Sequence, residues 1–141
     1  MSEFTFQMLL QCQYSGSDNK IDQLHVEQLV DGDWQLLELN THSPGFDVFM
    51  YAILTCQHMY FRMNATERRL VLDSSEGLIT INADQHRSIE SLHVEFTGRL
   101  KSGTATEDTI LFIEQRMDLC PVSINLKNIQ DRKTTVSFVP A

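Results

Sequence analysis

From Phe46 to Met63 the apolar side chains recur at steps of three and four: Phe46, Phe49, Met50, Ile53, Cys56, Tyr60 and Met63. This spacing places them on one face of an α-helix. No glycine or proline interrupts the chain through Arg69, so the helix is expected to be long, about twenty residues or a little more. A rod of that length can hide its stripe only against a sheet or other helices. The flanks supply a sheet. Phe4, Phe6, Met8, Leu10 and Cys12 alternate with Thr5, Gln7, Gln11 and Gln13, the period of a strand with one buried side. Ser15 to Asn19 reads as a loop and Gln23 to Leu29 as a second strand. Asp31-Gly32 suits a tight hairpin turn, and Trp34 to Leu39 returns from it.

Beyond the helix, Leu70 to Leu72 fits either its last turn or the start of a strand. Gly77 reads as a break, followed by strands at Leu78–Asn82 and Ser91–Thr97. A second helix is expected from Thr104, with Glu107 as capping-box partner, continuing through Ile110, Leu111, Ile113 and Met117. Cys120-Pro121 then opens a third helix through Val122, Ile124 and Leu126, because proline suits the first helical position. Thr134–Val139 closes as a strand. The order βββ-α-ββ-α-α-β makes this an α+β chain, expected to be a single domain over residues 1–141.

Composition narrows the function classes. With 42% hydrophobic and 21% charged residues over 141 positions, the chain can bury a sizeable core without a disulfide framework. Nineteen acidic residues against eleven basic leave a net charge of −8. Seven of those acids, and only one base, Lys20, fall before Thr41, so no nucleic-acid partner is expected. Phe46 to Phe61, the longest mostly apolar stretch, carries Asp47, Gln57 and His58 and falls short of a membrane span. No basic segment leading into an apolar block marks a secretory signal, and three widely spaced cysteines do not form a disulfide scaffold. The expected address is the cytoplasm, without membrane attachment.

Cysteine carries what chemistry the sequence shows. A thiol at a helix N-terminus faces partly positive N–H groups that favour its thiolate, which singles out Cys120; it reads equally as a small buried hydrophobe. Cys56 lies on the helical stripe and, taken alone, reads as core, as does Cys12 on the apolar face of the first strand. The five histidines and three cysteines never fall at CxxC, HxxxH or HExxH spacing, and His58 faces away from Cys56 on a helix, so no metal is expected. No P-loop, GxGxxG or GxSxG motif appears, and no cofactor is expected. His93 and Glu95 read as the solvent face of a strand, and Arg68-Arg69 as a solvated helix end.

Three stretches, in order, carry a family resemblance. Ser43-Pro44-Gly45-Phe46-Asp47-Val48-Phe49 leads through Tyr51 to Thr55 into Cys56. Ile89 to Gly98 forms the end of a hairpin, and Ile113-Glu114 precedes Cys120-Pro121-Val122-Ser123, with the two cysteines 64 residues apart. In this the chain resembles the OsmC/Ohr superfamily of osmotically inducible and organic-hydroperoxide-resistance proteins. The resemblance implies two protomers intertwined into a homodimer, the long central helix packed on antiparallel sheets. It further implies thiol peroxidase activity of the peroxiredoxin type. Cys56 would be the peroxidatic cysteine that attacks a hydroperoxide, Cys120 the resolving cysteine, and a dithiol such as a lipoylated protein the reductant. Phe46, Phe49, Met50 and Tyr60 are candidates for the substrate lining, and equally for core.

The family's activating arginine, drawn from the N-terminal strands, has no counterpart, since no arginine precedes Arg62. Lys20 is the one cation available there, and Asp47 stands one residue out of register with the peroxidases' glutamate. Without a cation, burial disfavours a thiolate. A second reading follows: a non-catalytic OsmC-like dimer that binds an apolar small molecule or senses redox state. A third is an unrelated α+β domain with core cysteines.

Overall fold

The computed structural model describes residues 3–140. Its strands are β1 (Phe4–Ser15), β2 (Lys20–Val30), β3 (Asp33–Leu36), β4 (Val71–Ala83), β5 (Ile89–Ser102) and β6 (Asp131–Val139). They form one six-stranded sheet in the order β3-β2-β1-β4-β5-β6. Every neighbouring pair is antiparallel except β5 and β6, which run parallel. Two helices, α1 (Gly45–Glu67) and α2 (Glu107–Met117), connect the strands. This is the α+β architecture expected, with one edge pair departing from the antiparallel pattern.

The alternation in β1 works as its sequence predicts. Met8, Leu10, Cys12 and Tyr14 are buried, and Val26 of β2, Ile79 and Ile81 of β4, and Leu92, Val94 and Phe96 of β5 join them. Against this face lies α1, burying Met50, Ile53, Leu54, Gln57, His58, Phe61, Asn64 and Ala65. The buried residues of α1 therefore lie to one side of the stripe read from the sequence. Val48, Met59 and Met63 stay exposed.

Strands β2, β4, β5 and β6 run beyond their expected bounds and β3 stops at Leu36; four positions have a local explanation. Gly77 is no break: β4 runs through it, opposite Phe96. A Cβ built at Gly77 would lie 2.4 Å from the Phe96 ring, so the glycine makes room for a fully buried aromatic on the neighbouring strand. Leu70 to Leu72 straddles a helix stop and a strand start. Arg69 takes a left-handed φ of 61°, and the Leu70 N–H reaches the Ala65 carbonyl while the Arg69 N–H reaches that of Thr66. This Schellman ending is normally marked by glycine. The start of α2 is capped by Thr106, whose hydroxyl accepts from the Thr109 N–H at 3.2 Å, so Glu107 is its first residue and not a capping-box partner. The expected third helix is one 3-10 turn, Ser123–Asn125.

Asn19, fully buried in the β1–β2 turn, pins that turn to the end of α1. Its amide donates to Thr66 Oγ1 and the Leu70 carbonyl, and its Oδ1 accepts from the Leu72 N–H. At the other end, Phe46 packs on Phe6 with ring centroids 4.7 Å apart.

Candidate active site

Cys56 occupies the middle of α1. The helical period puts it on the same side as the exposed Val48, Met59 and Met63, but the segment after α2 folds over it and leaves it half-buried. That segment carries Cys120, which is fully buried. The fold thus puts Cys120 close enough to Cys56 to act on its thiol, and all three cysteines are free thiols.

The Cys120-Pro121-Val122-Ser123 turn explains the arrangement. Pro121 has no N–H to offer, and the next two N–H groups point at sulfur. That of Ser123 bonds Cys120 Sγ at 3.3 Å, and that of Val122 favours the thiolate of Cys56. Gln57 approaches from α1. Its Nε2 donates to the Met117 carbonyl at 3.0 Å and to Ser123 Oγ, and lies 3.8 Å from Cys120 Sγ. Burial and the neighbouring Cys120 nevertheless push the Cys56 thiol up to about 11, against the smaller opposing pull of the Val122 N–H.

The pattern described as "OsmC-like protein" matches residues 40–134, about two thirds of the chain.

The chain belongs to the OsmC-like family.

Solved structures agree in fold. An OsmC-like protein from Mycoplasma pneumoniae superposes with a TM-score of 0.54 at 11% identity, covering 93% of this chain and 95% of its own. An OsmC-like hydroperoxide resistance protein from Jannaschia sp. CCS1 gives 0.56 at 12% identity, with 87% of each chain covered. A hypothetical protein from Aquifex aeolicus VF5 gives 0.53 at 12%, with 94% of each covered. No curated protein matches in sequence.

In this OsmC-like chain the other candidate residues are dispersed along α1. Asp47 lies in its first turn, nine residues and so about 13 Å along the axis from Cys56. Lys20 is exposed beside Asn19, which is bonded to the far end of the helix. Neither lysine nor arginine is among the influences on the Cys56 thiol. Phe46 and Phe49 pack with tilted rings, centroids 5.8 Å apart, near the helix start, and Met50 is buried in the core. Tyr60, one turn after Cys56, lines a cleft of about 290 Å³ with Met59, Met63, Asn64, Glu67 and Arg116.

A second polar cluster went unread in the sequence. On the opposite side of α1, Tyr14 Oη lies 2.7 Å from His58 Nε2 and 2.6 Å from Ser75 Oγ. The charge of Arg62 acts on this cluster and on Cys12, which places the first arginine of the chain beside the wrong thiol for Cys56. Burial, with Arg62 adding to it, lowers the His58 pKa to about 4, so its ring is neutral. Burial raises both Tyr14 and Cys12. The signal was available: His58 sits on the helix face that carries Leu54 and Phe61, where a polar residue needs a partner.

No helix among the described residues is long and apolar enough to cross a membrane.

Proposed function

We propose that this OsmC-like protein is a thiol-dependent hydroperoxide reductase in which Cys56 attacks the peroxide and Cys120 resolves the product. The observation that supports it is the turn at Pro121, which carries Cys120 with the Ser123 N–H on its sulfur and lies close enough to Cys56 to act on its thiol. The Cys56 thiolate displaces an alcohol from the O–O bond and becomes a sulfenic acid. Cys120 then closes the disulfide, which protects the sulfur from further oxidation. An external dithiol, such as a lipoylated protein, returns both thiols, and the cytoplasm is the compartment that keeps such a dithiol reduced. Along α1 from Cys56, the Met59, Tyr60 and Met63 side of the cleft offers apolar contact to the alkyl group of an organic hydroperoxide. A second copy of the chain covers the exposed apolar side of α1, giving a homodimer in which that cleft opens at the boundary between the copies.

A second reading, an OsmC-like dimer that binds an apolar molecule or senses redox state, is favoured by the raised Cys56 thiol and the absence of a cation acting on it. Thiol titration before and after one equivalent of an alkyl hydroperoxide separates the two. The peroxidase reading predicts loss of two thiols, abolished in Cys56→Ser, with Cys120→Ser losing one. Retention of all thiols over hours at pH 9 sinks it and leaves the second reading.

A further inference from the structure

Gln57 is among the most buried polar side chains, with 1% of its surface exposed, and it directly follows Cys56 in sequence. Its amide spans the segment that carries the other sulfur. Nε2 holds the carbonyl of Met117, three residues before Cys120, and the hydroxyl of Ser123, three residues after it. The same nitrogen lies 3.8 Å from Cys120 Sγ, so one of its two hydrogens is shared between Ser123 Oγ and the sulfur that the Ser123 backbone already serves. The orientation of the amide is fixed by the Met117 carbonyl, which only an N–H can satisfy. In consequence Oε1 is buried with no partner, so the amide oxygen loses its solvation without compensation. An apolar side chain of similar length would avoid that cost, so stability alone does not account for glutamine here.

We propose that Gln57 is the positioning residue for the disulfide-closing step: it holds the Cys120 sulfur against Cys56 and stabilises its thiolate. This rests on the hydroperoxide reading above and deepens it. In the first step, two electrons of the Cys56 thiolate form an S–O bond as the peroxide O–O bond breaks, and the alkoxide leaves and is protonated to the alcohol. In the second, the Cys120 thiolate attacks the Cys56 sulfur, the S–S bond forms, and the S–O bond breaks. Hydroxide departs with the bonding pair and takes a proton to become water. Gln57 acts only on the second step, because its amide faces Cys120.

The test uses the full chain carrying Cys12→Ala, so that only the two site thiols titrate, and compares it with the same chain carrying Gln57→Met, or Ser123→Ala in place of Gln57→Met. Sulfenic acid at Cys56 is trapped with dimedone after addition of an alkyl hydroperoxide, and disulfide closure is followed separately by mass across pH 6–10. Gln57→Met is expected to leave sulfenate formation within about twofold. Closure should slow by about tenfold or more, with its pH midpoint moved upward because a donor to the thiolate is gone. Ser123→Ala should slow closure in the same direction but less. Closure at the unsubstituted rate in both variants overturns the proposal, as does slower closure with an unmoved pH midpoint, which marks a packing defect. Diamide, which oxidises neighbouring thiols without any peroxide, provides the separate arm. If no sulfenate forms from hydroperoxide but Gln57→Met still slows diamide closure and moves its midpoint, the peroxidase reading fails while the positioning role of Gln57 stands. If the variant closes with diamide at the unsubstituted rate, the role of Gln57 falls by itself.

Discussion

At the scale of single residues, α1 separates two kinds of polar chemistry by a turn of the helix. Cys56 and Gln57 face the segment after α2, whereas His58 turns to the sheet and meets Tyr14. The two sets feel opposite demands. Cys56 must lose a proton to react and is held back by burial; His58 must stay unprotonated to remain buried. Its folded pKa of about 4 lies below the value near 6.5 of an unfolded histidine. Between those values the unfolded chain binds the extra proton and the folded chain does not, so stability falls as pH drops from about 6.5 toward 4. The shift corresponds to roughly 3 kcal/mol. Urea denaturation at pH 7 and pH 4.5 should show that loss in the parent chain and a much smaller one in His58→Gln. An equal loss in both would assign the acid sensitivity to other groups. None of this was readable from periodicity alone, which marks the face a histidine occupies but not the tyrosine and serine brought to it from two strands.

At the scale of elements, the strongly patterned pieces were legible and the weakly marked ones were not. Strand β1 and helix α1 carry long runs of one period, and both form where the pattern places them. The errors fall where a tertiary contact replaced a local signal. Gly77 reads as punctuation because its partner Phe96 lies nineteen residues away, and the end of α1 carries no signal because Arg69 adopts the left-handed turn usually given to glycine. The apolar stripe of α1 was legible too, but it proved wider than one sheet can cover. Met59 is 48% exposed and Met63 55%, an arrangement that isolated chains seldom present as a contiguous face. The proposed second copy covers it. Light scattering should therefore give twice the 16.2 kDa chain mass, with Met59→Glu/Met63→Glu shifting the protein toward the monomer. A parent chain that stays monomeric at tens of micromolar would remove the dimer.

For the molecule as a whole, the two cysteine motifs are visible in the sequence but their approach is not, since 63 residues, a hairpin and a helix lie between them. The sheet order supplies it: β4 and β5 carry the chain out and back, α2 packs beside α1, and the turn at Pro121 then lies over Cys56. Among the described residues, no lysine or arginine acts on the Cys56 thiol. The arginine nearest in sequence to Cys56, Arg62, acts instead on Cys12, Tyr14 and His58. The chemistry proposed for Cys56 must therefore run on a small thiolate fraction, about one part in ten thousand at pH 7 for a thiol near 11. That makes the pH dependence of the peroxide step the most direct test. The second-order rate of Cys56 oxidation by an alkyl hydroperoxide, read as dimedone-trapped sulfenate in Cys120→Ser, should rise about tenfold per pH unit from 7 to 10. A rate already flat across that range would mean that Cys56 is ionised at neutral pH by a group absent from this account. No sulfenate at any pH would mean that Cys56 does not react with hydroperoxides at all.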